Sequence, residues 1–123
     1  MSEVLEFLKN KTFYLATAEN NKPKIRPFGA VMEFENKIYF VTSNEKDVFK
    51  QIMNNPNISI CACDLSRRWA RIEGIAKRDT RIDAKQKMLD ENPVLTERKR
   101  YKSADDPVME IFYIDDMIVS FFN

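Results

Sequence analysis

A small, mostly antiparallel β-barrel with peripheral helices is the fold this chain predicts. Three observations lead there. The apolar runs order as helix, three strands, helix, two strands, helix, two strands. Tight polar turns separate most neighbouring strands, which favours hairpins over crossovers. Gly74 interrupts a long strand, where a closing sheet needs a bulge or bend. A chain of 123 residues is of ordinary single-domain size and can bury a core without staples. It contains no repeat, low-complexity tract or linker, so residues 1–123 read as one domain.

The elements follow in order. Ser2 can cap a short helix with Glu3 and Glu6 in its first turn, where acids suit the dipole, and Val4, Leu5 and Leu8 on its apolar face. Residues 12–18, Thr-Phe-Tyr-Leu-Ala-Thr-Ala, form a strand, and Asn20-Asn21-Lys22-Pro23 a turn. Residues 24–34 read as one strand, Glu35-Asn36-Lys37 as a turn, and 38–41 as a strand running into Thr42-Ser43-Asn44, which can cap a helix. Val48, Phe49, Ile52 and Met53 then recur at helical spacing until Asn55-Pro56 stops them. Residues 58–63 are a compact strand expected to be buried on both faces. After a turn at 64–67, residues 68–77 form the long strand containing Gly74. Asp79 or Thr80 caps a helix carrying Ile82, Ala84, Met88 and Leu89, ended by Asn92-Pro93. A polar connection with Tyr101 spans 99–107, and residues 110–114 and 118–122 are closing strands around Asp115-Asp116.

Composition narrows the chemistry. Lys and Arg total 20 against 19 acids, so no general nucleic-acid or anionic-membrane binding is expected. No apolar run approaches membrane-spanning length, and the start Met-Ser-Glu lacks a signal-peptide pattern. Cys61 and Cys63 read as reduced core residues; with the missing signal they lead to an expected cytoplasmic location. The chain has no histidine. That removes Ser-His-Asp and Cys-His triads and histidine-ligated metals, and no metal site is expected. Chemistry has to come from another group, and a bound cofactor is the obvious one.

One constellation stands out. The hairpin of residues 24–41 delivers a helix N-terminus, whose free N–H groups and partial positive charge suit a phosphate. Arg26 on the first strand and Lys46 at the helix start can add charge. Pro27-Phe28-Gly29 is poor strand material unless something approaches the backbone. The plain alternative is an ordinary hairpin and surface helix with solvated basic residues.

Lys24-Ile-Arg-Pro-Phe-Gly29, Tyr39-Phe-Val-Thr-Ser-Asn44, Lys50-Gln-Ile-Met-Asn-Asn-Pro56 and Arg71-Ile-Glu-Gly74, in this order and spacing, resemble the pyridoxamine 5′-phosphate oxidase-like FMN-binding split barrels. The resemblance runs over most of the chain. It implies FMN as cofactor, with Arg26 as the phosphate arginine. Pro27, Phe28 and Gly29 would lie along the flavin, and Thr42, Ser43 and Asn44 would form the loop around the phosphate. Lys46 would be a basic phosphate contact, with Lys50 and Gln51 one turn on. Trp69 would reach the flavin of a partner subunit, which implies a homodimer with flavin sites at the interface. True pyridoxamine phosphate oxidases carry Ser-Arg-Lys at the helix start, where this chain has Lys46-Asp47-Val48; the grip would shift to Lys46 and Arg26. They also carry a C-terminal tryptophan and arginine that this sequence lacks, and nitroimidazole-resistance reductases of the same fold often use a histidine. The resemblance therefore implies an FMN-dependent oxidoreductase acting on an unnamed small molecule, with NAD(P)H as a candidate donor. True pyridoxamine phosphate oxidase activity is not expected, unless Lys99, Arg100 and Lys102, in the loop before the closing strands, supply the substrate's anion site. The alternatives are a non-catalytic flavin-binding or stress-related carrier, and an apo barrel that binds a partner protein or nucleic acid. Near-neutral charge argues against nucleic acid.

Overall fold

The computed structural model describes residues 2–123. The side chain of Ser2, the expected first cap, lies outside the described residues. The elements are α1 (Ser2–Leu8), β1 (Phe13–Glu19), β2 (Lys22–Phe28), β3 (Val31–Phe34), β4 (Lys37–Ser43), α2 (Asp47–Asn54), β5 (Asn57–Cys63), β6 (Trp69–Asp79), α3 (Ile82–Glu91), α4 (Val94–Glu97) and β7 (Met109–Phe122). All strand pairs are antiparallel, in the order β2-β1-β5-β6-β7-β4-β3. The fold is thus mainly β, a curved seven-stranded sheet with small helices around it.

Alternation places the core. Phe13 and Leu15 of β1, Ile58, Ile60 and Ala62 of β5, Ala70 and Ile72 of β6, and Phe40 and Phe112 of β4 and β7 point into the curve of the sheet, where α1 and α2 add Val4, Phe7, Leu8, Val48 and Ile52. Phe40 stacks on Phe112 at 5.6 Å between ring centroids. Truncating either ring to alanine would cost about 3–5 kcal/mol. A second apolar layer lies on the other face of β4 and β7, where Tyr39, Val41, Met109 and Ile111 pack against Ala84, Met88, Leu89 and Leu95 of α3 and α4. Sandwiching explains why β4 is buried along both faces.

Several expectations need correction. The strand expected over 24–34 breaks at Gly29-Ala30 into β2 and β3, which become the two edges of the sheet. Pro23 and Pro27 cannot donate to a ladder, and an edge tolerates them. Asn20-Asn21 and Glu35-Asn36 are the turns, all four residues with positive φ, as a two-residue type I′ hairpin requires. The strand of residues 58–63 is buried on one face only. Cys61 is half-buried and Cys63 exposed, both free thiols on the outer face rather than core residues. The two closing strands are one 14-residue strand, β7. It runs on through a bulge, in which Gly74 of β6 faces two β7 residues, Asp116 and Met117, and Asp116 takes a positive φ. A Cβ on Gly74 would sit 2.5 Å from Ile114 Cγ2 and 2.7 Å from the Asp115 carbonyl oxygen. Met53 and Ile82, expected on apolar helix faces, are exposed, and α4 falls where no helix was expected.

Candidate functional site

The break between β2 and β3 opens one side of the sheet. There a cleft of about 630 Å³ is lined from several directions. Arg26, Pro27, Phe28, Gly29 and Ala30 form its floor, and Val41, Thr42, Lys46 and Val48 its wall from β4 and α2. Asn92, Val94, Leu95, Arg98, Arg100 and Tyr101 approach from the α3–α4 side, and Asn10, Lys11 and Thr12 from the α1–β1 link. Among the described residues five cations line it (Lys11, Arg26, Lys46, Arg98 and Arg100) and no carboxylate does. In a chain whose charges nearly cancel, that segregation creates a local positive field suited to an anion.

Arg26 is held firmly. One terminal nitrogen, Nη1, donates to the Leu15 carbonyl at 3.1 Å and to Thr17 Oγ1 at 2.9 Å. Nη2 donates to Gln51 Oε1 at 2.6 Å, and the Thr17 hydroxyl donates to the same oxygen at 2.6 Å. Burial lowers the Arg26 pKa and nearby Asp47 raises it again; a guanidinium stays charged at any working pH. The triad of Arg26, Thr17 and Gln51 thus joins β1, β2 and α2 beneath the cleft and leaves the remaining guanidinium N–H groups for a ligand.

Gly29 adds an independent signal. Its φ is not positive, and a Cβ built on it meets nothing within 4 Å. Neither backbone geometry nor a protein neighbour calls for glycine there, and the open space lies in the cleft. Close approach of a ligand to the backbone is the remaining physical reason for the residue.

The turn between β4 and α2 differs from expectation. The residue at the N-cap of α2 is Lys46, and the helix has no side-chain cap. Ser43 Oγ instead accepts from the Glu45 N–H at 3.2 Å. Asn44 turns its amide away from the cleft, donating to the Pro107 carbonyl at 2.8 Å and Glu110 Oε2 at 2.9 Å.

Comparison with known proteins places this geometry. The sequence matches the pyridoxamine 5′-phosphate oxidase family over residues 1–111. The chain belongs to that family. Among solved structures, a NimC/NimA family protein from Clostridium acetobutylicum shares 36% identity at a TM-score of 0.91, over 98% of this chain and 83% of that one. General Stress Protein 26 from Bacillus anthracis str. Sterne shares 22% at a TM-score of 0.77, over 99% and 96%. A pyridoxamine 5′-phosphate oxidase-related, FMN binding protein from Nostoc punctiforme shares 18% at 0.74, over 98% and 80%. The same fold also carries an FAD-binding protein from Mesorhizobium loti and an F420 reductase. No curated protein matches the chain.

Of the residues this family resemblance singled out, Arg26, Pro27, Phe28, Gly29, Thr42 and Lys46 line the cleft together. Gln51 supports it through Arg26. Ser43 and Asn44 shape the turn without lining the cleft, and Lys50 is exposed on α2. Trp69 stands apart on the outer sheet face, stacked on Phe122 at 4.3 Å with the Arg71 guanidinium 5.4 Å from both rings. Sequence reasoning missed Asn92, Leu95 and Arg98, because only the packing of α3 and α4 on the sheet brings them here, and Lys11, which the α1–β1 link carries to the cleft rim. Arg100 lines the cleft as the basic-loop reading allowed, while Lys99 and Lys102 do not; Tyr101 was noticed only as part of that polar loop. Burial pushes the Tyr101 phenol up to about 12, so it enters the site as a neutral group. With Arg98 and Arg100 in place, the expectation that true oxidase activity is missing loses one support: the cleft does hold cations beyond those assigned to the FMN phosphate.

Proposed function

We propose that this protein binds FMN in the cleft and works as an FMN-dependent oxidoreductase on a small anionic molecule. The observation that carries the reading is the carboxylate-free lining with its five cations and the open space at Gly29. The volume falls within the roughly 300–1,000 Å³ of small-molecule sites.

The residues present fit the cofactor. Arg26, Lys46 and the first N–H groups of α2 would hold the terminal phosphate dianion. The backbone of residues 27–29 would lie along the ring system, and Val41, Val94 and Leu95 would give it an apolar wall. A bound flavin supplies hydride or electron transfer, chemistry that needs no histidine. Arg98 and Arg100 are left to hold a second negative group, and Tyr101 stays a neutral donor beside them. FMN is favoured over FAD because only FMN ends in a dianion, which this cluster of cations suits. The FMN binding and FAD-binding relatives are both under 25% identical and do not decide between the two.

The outer sheet face supports a homodimer. Tyr14 and Ile25, on the paired strands β1 and β2, and Ile118 and Phe122, on β7, are exposed large apolar residues on this face, and Trp69 sits beside Phe122. Patches of this kind mark association. Flavin sites would then lie between subunits, with Trp69 reaching the partner. The two free thiols fit a reducing cytoplasm.

The test is a fluorescence titration of the purified protein with FMN, FAD and riboflavin. Binding of FMN at least about tenfold tighter than riboflavin is expected, and equal affinities would sink the phosphate assignment. Bleaching of the bound flavin by NADH or NADPH would separate an enzyme from a flavin carrier.

A further inference from the structure

The cleft needs Lys46 and the first turn of α2 to be held in place, yet that helix has no side-chain cap. What fixes the turn is a buried carboxylate outside the cleft lining. Glu110 on β7 is 3% exposed and lies directly across the ladder from Thr42, a cleft residue. Arg78 of β6 grips it with two bonds, Nε to Oε1 at 2.8 Å and Nη2 to Oε2 at 3.0 Å. Asn44 completes it from the turn, its amide donating to Oε2 at 2.9 Å and to the Pro107 carbonyl at 2.8 Å. The Asn44 N–H donates to the Val108 carbonyl at 2.9 Å. The same arginine lies 5.5 Å from the centroid of the Phe49 ring, which packs on Phe112 under α2.

An ion pair between a buried carboxylate and a solvent-exposed arginine adds little net stability, because desolvating Glu110 offsets much of an attraction already weakened by water at Arg78. Apolar residues could fill the same volume. What the carboxylate supplies is position: one group on β7 takes donors from the neighbouring strand β6 and from the turn at once.

We infer that Glu110 is a positioning residue for the anion-binding end of the cleft, acting through Asn44 to set where Lys46 and the start of α2 meet the ligand's phosphate. The inference rests on the FMN reading above. Glu110→Gln keeps the size of the side chain but removes the charge that Arg78 and Asn44 share. Their geometry then relaxes, and the turn with it. The ring-binding floor at residues 27–29 belongs to other strands and is untouched.

The experiment compares FMN with riboflavin, which lacks the phosphate, on wild-type protein and on Glu110→Gln and Asn44→Ala. FMN affinity is expected to fall roughly tenfold in each variant, with riboflavin affinity unchanged. The double variant should lose little more than either single one, because both break the same clasp. Equal loss of FMN and riboflavin binding would show a merely structural role and overturn the inference. Unchanged FMN affinity would overturn it too. Should Glu110→Gln fail to fold, Asn44→Ala, at the partly exposed turn, carries the same test alone. A wild-type protein without preference for FMN over riboflavin defeats the phosphate reading first, and this inference falls with it.

Discussion

Arg26→Ala separates a ligand-binding arginine from an internal strut, because the structure gives it both roles and each has its own magnitude. The guanidinium makes three bonds, to the Leu15 carbonyl, Thr17 Oγ1 and Gln51 Oε1. Thr17 and Gln51 keep each other through their own 2.6 Å bond, so truncation leaves neither buried side chain fully unpartnered. The expected loss of stability without ligand is therefore about 1–2 kcal/mol, or roughly 4–8 °C in Tm for a domain of this size. The lost phosphate contact is charge-assisted, worth about 1.5–3 kcal/mol, so FMN affinity should drop roughly tenfold to a hundredfold. Thermal melts with and without FMN read both. At a hundredfold excess over Kd, FMN stabilises the wild-type protein by about 2.7 kcal/mol. The same concentration should stabilise the variant by about 1.4 kcal/mol or less. A variant that melts early yet gains the full increment from FMN would show that Arg26 only joins β1, β2 and α2, and that the phosphate site has been misplaced.

Three further outcomes are expected. Gly74→Ala should cost about 1–3 kcal/mol in urea unfolding, since its Cβ would press on Ile114 and the Asp115 carbonyl; an unchanged midpoint would mean the bulge relaxes freely. Asp79 is held near 2, chiefly by its hydrogen bonds from Arg81, which outweigh burial, with help from the Arg81 N–H and the Tyr39 hydroxyl. A depressed carboxylate stabilises above its unfolded pKa of about 3.8, so stability should fall as pH drops from about 4 towards 2, and Asp79→Asn should flatten that fall. The proposed homodimer should sediment as such in the unmodified protein and as a monomer once Tyr14→Asp is combined with Ile118→Asp, whereas a dimer that survives both changes would place the interface elsewhere.

The sequence carried the fold wherever the local pattern and the tertiary environment agreed. Period-two runs such as Phe13, Leu15 and Thr17, or Ile58, Ile60 and Ala62, face the core as written. Gly74 announced its bulge because no other residue fits against β7 there. Arg26, Gly29 and Lys46 were legible because each is locally odd: charge on an inward-facing position, glycine without a turn, a lysine opening a helix. Of the opposite wall, Arg100 was legible only as one cation of a basic loop, and Arg98 not at all. Both stand in a charged run, and only the second apolar layer, with Leu95 and Tyr101 buried against the sheet, brings them to the cleft. Asn44 misled for a related reason. It had the chemistry of a cap, but Glu110, distant in sequence, bound its amide.

The sheet has its two edges at consecutive places in the chain, with only Gly29 and Ala30 between β2 and β3. Among the described residues no backbone ladder joins those edges. β2 is held by β1 alone, by the Arg26 bonds and by Phe28 against Phe13 and Phe40. It can therefore swing outward while the ladder from β1 through β5, β6, β7 and β4 to β3 stays intact. Its amides should exchange with solvent through a local opening far cheaper than global unfolding. The same opening widens the cleft, because the cleft floor is the end of β2. Ligand entry and the opening of this edge strand would then be one motion, and a bound anion gripping Arg26 on one side and Lys46 on the other would slow it.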